Sequence, residues 1–163
     1  MRTRDTARVV LFNPRSEVLL FKYEDAAPAD PERPQLTVYW GTPGGGLDPS
    51  ESFAAAALRE LWEEAGIDDV QLGPCIWTRS RRLLARGELV LFNERYYLAR
   101  TTTLQISFDH SSQFELSQLR DYRWWSLAAL EASDETFLPP GFVSLVRPVA
   151  SGDVPSSPIG IRG

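Results

Sequence analysis

A glycine-rich run, Gly41-Thr42-Pro43-Gly44-Gly45-Gly46, leads within a few residues into one strongly amphipathic segment that ends near Gly66, and no other stretch of the chain narrows its fold as much. At roughly 100° per residue, with Glu60 set at zero, Glu63 falls near −60° and Glu64 near +40°. Three carboxylates therefore share one arc. Ala54, Ala57, Leu58, Leu61, Trp62 and Ala65 fall between roughly 60° and 200° on the same wheel. The spacing predicts a helix that starts between Asp48 and Phe53, buries its apolar face against a sheet, and keeps the acids at the edge of the core. Asp48 or Ser52 can cap it, Pro49 suits a first turn, Glu51 a capping box, and Gly66 the stop. The glycines ahead of it allow backbone angles that other residues avoid and let another group approach closely.

Strand-like segments surround this helix. Arg8 to Phe12 and Val18 to Tyr23 are β-branched and aromatic runs joined by Asn13-Pro14-Arg15-Ser16, which reads as a hairpin. Thr37 to Trp40, Val70 to Ser80, Glu88 to Arg100, Leu104 to Phe108 and Tyr122 to Trp125 are further strand candidates. Ser126 to Ala132 and Gly141 to Val149 read as short helices. Residues 24–35 hold three prolines and no apolar period, so they are expected to form a surface loop. Interleaved strands and helices predict an α/β (α+β) sandwich in which helices flank a mixed sheet. With 163 residues, one domain over residues 1–150 is expected, followed by a flexible tail over residues 151–163, where Pro, Gly and Ser accumulate.

Charge and cysteine content exclude several functions. Seventeen basic against twenty-two acidic residues leave a formal net charge of −5, which disfavours nucleic acid bound through a general basic surface. Cys75 is the single cysteine, so an intrachain disulfide and a cysteine-rich zinc site are ruled out. His110 is the single histidine, so a histidine-based nucleophilic triad would depend on it alone. No segment approaches the roughly 18 apolar residues of a membrane span, and Met1 to Arg8 is polar. A cytoplasmic protein with no membrane partner is the expectation.

The acid arc carries the chemistry. Like charges at these helix spacings repel one another, and a bound cation removes that cost. Carboxylate oxygens are the ligands that Mg2+ and Mn2+ prefer, usually combined with waters and substrate phosphate oxygens. Glutamate-rich helix faces are also common as plain solvated surface, so the spacing alone does not separate the two.

The wider pattern separates them. Gly45 to Ile67 reads Gly, five residues, Glu51, seven residues, Arg59-Glu60, Leu61, one residue, Glu63-Glu64, one residue, Gly66, Ile67, and it resembles the Nudix box at every specified position. The resemblance implies a Nudix-like α/β/α sandwich and hydrolysis of a nucleoside diphosphate linked to another group, with water attacking phosphorus. It implies Glu63 and Glu64 as principal ligands of Mg2+ or Mn2+, completed by Glu60 and the Gly44 carbonyl. Glu51 and Arg59 become supporting residues that orient the acids. The general base is either a box glutamate or an acid from a later loop, for which Glu115 is the candidate and Asp109 and Asp121 are alternatives. Many family members pair, so a homodimer is an assembly the resemblance implies, although no segment here marks its surface.

Substrate recognition is less legible. Tyr39, Trp40, Trp77 and Phe114 are candidates to stack on a base, and Arg79, Arg81, Arg82 and Arg86 to contact phosphates. Aromatic residues beside strands are more often core, and an arginine cluster is more often a solvated edge. The markers of ADP-ribose, dinucleoside polyphosphate and coenzyme A subfamilies are missing. The expected partner is a nucleotide-type small molecule. The competing reading, a ligand sensor that binds a nucleotide without turnover, has no chemical need for the clustered acids.

Overall fold

Val9, Val10, Leu11 and Phe12 form an unbroken apolar run, the pattern of a strand covered on both faces, and they close the first strand, β1 (Arg2–Phe12). The computed structural model describes residues 1–25 and 29–162, without the side chains of Phe114 and Glu115. After β1 come β2 (Val18–Glu24), β3 (Val38–Gly41), β4 (Gly44–Gly46) and helix α1 (Phe53–Ala65). A long pair, β5 (Val70–Ala85) and β6 (Glu88–Thr101), follows, then α2 (Gln113–Gln118), β7 (Leu119–Trp125), α3 (Leu127–Ala132), α4 (Phe142–Ala150) and β8 (Ile159–Ile161).

Among the described residues these strands form one mixed sheet in the order β3-β2-β1-β6-β5-β8, with β4 paired to β1 and β7 to β2. β1 runs parallel to β6 from Arg2 opposite Val90 to Phe12 opposite Arg100. On its other edge β1 meets β2 only at Phe12 and Val18, while Thr6, Ala7 and Arg8 pair with Gly46, Gly45 and Gly44. The sheet therefore opens between β1 and β2, and the glycine strand occupies part of that opening.

Alternation along β1 divides the core. Val10 and Phe12 face a cluster with Trp40, Trp77, Trp125, Phe142 and Val146 beneath α3 and α4. Val9 and Leu11 face a second cluster with Ala56, Ala57, Leu61, Ala65 and Ile67 beneath α1. The result is the expected α/β/α sandwich with a mixed sheet. Trp125 is buried on one face, and Trp124 packs on the other with its Nε1 donating to the Leu104 carbonyl at 2.9 Å. No helix among the described residues is long and apolar enough to cross a membrane.

Three sequence expectations need correction. Leu104 to Phe108 is not a strand: Ile106 is buried in the second cluster, and the Ser107 amide donates to the Ala65 carbonyl at 2.9 Å, so this segment closes the end of α1. The tail is not loose throughout, because Ile159–Ile161 pairs in parallel with Trp77, Thr78 and Arg79 of β5. The buried arc of α1 is also rotated from the expected one. Ala56, Ala57, Glu60, Leu61 and Ala65 are buried, whereas Leu58 and Trp62 are each 41% exposed. On the same wheel the inward arc runs from roughly −40° to +140°, so Glu60 and Glu64 point inward rather than flank the core. The outward Trp62 stacks on His110 with ring centroids 4.1 Å apart. Of the expected 24–35 loop, Glu24 ends β2, residues 26–28 lie outside the described residues, and the Ala29 carbonyl accepts a hydrogen bond from the Leu84 amide of β5 at 2.8 Å.

Candidate functional site

Carboxylates can face inward from α1 because the strand opposite has no side chains. An added Cβ at Gly45 would lie 2.4 Å from Glu60 Oε1, and one at Gly44 would lie 2.2 Å from the Ala7 carbonyl. Gly44 also has φ +151°, a conformation that side-chain-bearing residues rarely adopt. The Gly44 amide donates to Glu64 Oε2 at 3.3 Å. Ser52 caps the helix by accepting from the Ala55 amide, and Gly66 ends it with φ 68°. These local signals position the acids against the glycines.

Arg59 is the hub of the acid cluster. Its Nε and Nη2 donate to the two oxygens of Glu51 at 2.8 and 2.9 Å, and Nη2 also donates to the Gly46 carbonyl at 2.9 Å. Its Nη1 donates to Glu60 Oε1 at 3.0 Å and to both oxygens of Glu63 at 3.2 and 3.1 Å. The two-pronged pair with Glu51 fixes the guanidinium plane. The Glu51 carboxyl is held down to about 2, first by the Arg59 hydrogen bonds and then by its bond from the Asp48 amide. Arg59 is held charged, first by Glu51, with Glu63 and Glu60 adding to it.

A cavity of about 260 Å³ lies where the sheet opens. Glu64, Gly44 and Arg8 line it together with Tyr39 from β3 and Arg79, Arg81 and Glu94 from the β5–β6 pair. Tyr39 donates through its hydroxyl to Asp25 Oδ2 at 3.2 Å, and burial together with Asp25 pushes that phenol up to about 12. Glu94 is buried and approached by Arg8 at 3.3 Å, Arg79 at 3.7 Å and Arg81 at 3.2 Å. Burial raises the Glu94 carboxyl, but the three guanidiniums outweigh it and hold the group below its usual range. Arg79 is lowered as well, here against its charged form: burial and then Arg81 press its guanidinium below the ordinary value.

The structure brings Glu60, Glu63, Glu64, Arg59, Glu51 and Gly44 into one neighbourhood and places Tyr39, Arg79 and Arg81 in the adjoining cavity. Trp40 is a correction. Strand alternation turns it away from Tyr39 into the core, where it is 4% exposed and meets Trp125 edge-on at 5.1 Å. Trp77 is core as well, and Arg82 is exposed, because it alternates with Arg79 and Arg81. Asp109 and Asp121 are exposed and do not line the cavity. The side chains of Glu115 and Phe114 lie outside the described residues, although Ser111 and Gln118 on either side of them line the cavity. Sequence reading missed Arg8 and Glu94. A lone acid two residues before Tyr96 and four before Leu98, on one face of an otherwise buried strand, was the available sign of a paired carboxylate.

The donor set suits a hard divalent cation: three carboxylates on adjacent turns of one helix, with the carbonyl-bearing glycine strand beside them. In the arrangement present, Arg59 serves as counter-ion to Glu60 and Glu63, and among the described residues no three acidic, histidine or cysteine side chains are set to hold a metal.

A family profile described as the NUDIX domain matches residues 2–144. An RNA pyrophosphohydrolase of Wolbachia pipientis subsp. Culex pipiens is 33% identical over 69 residues, which cover 42% of this chain and 36% of that protein. The match thus spans little more than a third of that curated relative. Among solved structures, a MutT protein from Methanosarcina mazei Go1 superposes with TM-score 0.62 at 18% identity, covering 93% of this chain and 96% of that one. An ADP-ribose pyrophosphatase from Streptococcus suis superposes with TM-score 0.57 at 15% identity, covering 98% of each. At such identities these two share the fold.

Proposed function

The chain belongs to the NUDIX domain family, and from that premise we propose that it hydrolyses the diphosphate bond of a nucleoside diphosphate linked to another group, with Mg2+ or Mn2+ held by Glu60, Glu63, Glu64 and the Gly44 carbonyl. The observation that carries this reading is the inward turn of Glu60 and Glu64 onto side-chain-free glycines at the mouth of a cavity. Carboxylates crowded on one helix arc repel one another, and a divalent cation would offset the charge that Arg59 leaves uncompensated.

When bound, the metal would screen the phosphates and lower the pKa of the attacking water. The chain's own residues supply the rest. Arg59, clamped by Glu51 and the Gly46 carbonyl, holds Glu60 and Glu63 in place before a cation arrives. The Gly44 amide orients Glu64 toward the cavity. Tyr39 offers a ring to stack on the organic part of the substrate, and Arg79 and Arg81 offer positive charge to it. Glu115 is the proposed proton acceptor, supported by Ser111 and Gln118 lining the cavity on either side of it. The reading includes a nucleotide-type small molecule as partner and a reducing, cytoplasmic location, the latter supported by the single free thiol of Cys75.

The test is cleavage of the diphosphate bond, read as the monophosphate product and its phosphorylated co-product (pyrophosphate from a triphosphate), in nucleoside triphosphates, nucleotide sugars, ADP-ribose, dinucleoside polyphosphates and an RNA bearing a 5′-triphosphate. Each is run with Mg2+, Mn2+ or chelator, beside Glu64→Gln. Metal-dependent turnover of one class that drops about 10²-fold or more in Glu64→Gln is expected. Turnover undiminished in that variant would remove Glu64 from the chemistry. Binding of a nucleotide without cleavage of any would favour a sensor.

A further inference from the structure

Arg8, Arg79 and Arg81 converge on the one carboxylate of Glu94. Its two oxygens cannot serve three guanidiniums that each carry five N–H donors. Glu94 also accepts from the Tyr96 hydroxyl at 3.3 Å, which uses more of its capacity. The deficit falls on Arg79, whose fully buried guanidinium has no well-formed hydrogen bond and reaches Glu94 only at 3.7 Å beside the Tyr96 hydroxyl, and on Nε of Arg81, which lies 3.2 Å from Glu94 without hydrogen-bond alignment. Buried donors without acceptors are rare in folded proteins and unfavourable. The other carboxylates near the cluster are already engaged: Asp25 accepts from Tyr39, and Glu64 from the Gly44 amide. All three arginines line the cavity, which leaves a concentrated positive charge, with unused donors, inside an acidic protein of net charge −5.

We propose that Arg8, Arg79 and Arg81 form a receptor for an anionic group, phosphate or carboxylate, that the substrate carries at a distance from the diphosphate handled by the α1 acids. The inference rests on the cavity being the substrate site, and it narrows the substrate to a nucleoside diphosphate whose linked group is itself charged. Guanidiniums match the paired oxygens of phosphate and carboxylate, and an incoming anion supplies the acceptors that Arg79 lacks. Arg8 connects this receptor to the acids. Its Nε donates to Glu94, its Nη1 donates to the Thr42 and Gly44 carbonyls at 3.4 Å, and Gly44 in turn contacts Glu64. An anion held by the cluster would set the position of the diphosphate along the cavity.

Calorimetric titration of inorganic phosphate and of citrate into the full chain, in chelator, reads the receptor apart from hydrolysis. Phosphate or citrate is expected to bind one to one, more weakly as salt rises. Arg81→Gln and Arg79→Gln are each expected to weaken binding by about tenfold or more, with Arg81→Lys partly restoring it. Should Arg79→Gln fail to fold, Arg81→Gln carries the test, because that side chain reaches solvent. Glu94→Gln releases positive charge, so its melting temperature should rise more with added phosphate than that of the wild type. A purely structural ion pair predicts no such gain. A wild type that binds neither anion, or one whose binding survives undiminished in both arginine variants, overturns the proposal.

Which anion binds names the charged group. With metal, Arg81→Gln should raise KM more for substrates charged beyond the diphosphate than for neutral-ended ones, whereas equal effects on both also overturn it. Anion binding in chelator without turnover in metal would keep the receptor and reject the hydrolase, and the reverse result would do the opposite.

Discussion

Replacing Gly45 with alanine separates the architecture of the site from its chemistry. The new Cβ would stand 2.4 Å from Glu60 Oε1, 2.6 Å from Cδ and 2.9 Å from Oε2, where ordinary contact begins at 3.4 Å. The carboxylate must therefore retreat by about 1 Å, a displacement that costs on the order of 10²-fold when it falls on a group that positions the reaction. That is roughly 2.7 kcal/mol of lost transition-state stabilisation. Stability should change little. Gly45 is not among the glycines with positive φ, so alanine introduces no backbone strain there. The loss of glycine freedom in the unfolded chain favours folding by about 0.4–1 kcal/mol. Against this stands the 3.0 Å bond from the partly exposed Arg59 to the buried Glu60, a charged hydrogen bond contributing about 1.5 kcal/mol. The expected variant melts within about 5 °C of the wild type and hydrolyses its best substrate about a hundredfold more slowly. Parallel melting curves and kcat measurements check both halves. A wild-type rate would refute the reasoning, because Glu60 would then tolerate displacement. An unfolded protein would refute it equally, because the clash is with the movable end of a side chain.

The neighbouring glycine behaves differently: Gly44→Ala meets the Ala7 carbonyl and the Arg8 Cα, both backbone, at φ +151°, so a loss of about 3 kcal/mol is expected in denaturant unfolding, and a stable variant would count against the β1–β4 register. Trp40→Ala should cost about 3–5 kcal/mol as a core deletion, whereas Tyr39→Ala should cost less and raise KM. The opposite ranking would return Trp40 to the substrate. Asp69 is held well below the usual carboxylate range by the hydroxyls of Thr102, Thr103 and Thr101. Its folded value lies below the unfolded one, so its contribution is complete above roughly pH 4 and is lost as pH falls below that. Asp69→Asn should therefore melt lower than the wild type at pH 7, with the gap closing in acid. A gap independent of pH would mean that the carboxylate's charge is not what those hydroxyls stabilise.

What could be read along the chain was local. The cap at Ser52, the stop at Gly66 and the common arc of Glu60, Glu63 and Glu64 depend on contacts within one or two helical turns. The clamp of Arg59 on Glu63 is likewise an i,i+4 neighbour. The rotation of α1 was not legible, because apolar content places Leu58 and Trp62 inside. Its actual orientation follows from glycines on a strand that leave room for carboxylates and not for a bulky face.

The sequence by itself determined which carboxylates share one arc of the helix, that the helix starts between Asp48 and Phe53 and stops near Gly66, and the family to which the chain belongs. Tertiary structure decided which side chains meet them. Arg8 and Glu94 are 86 residues apart and touch because β1 lies parallel to β6 with Arg8 opposite Tyr96. Trp40 and Tyr39 are adjacent and part company because a strand sends successive side chains to opposite faces. Periodicity gives the two faces of an element, but which face looks into a cavity depends on register with strands far away in the chain, and that is fixed only when the whole sheet has formed.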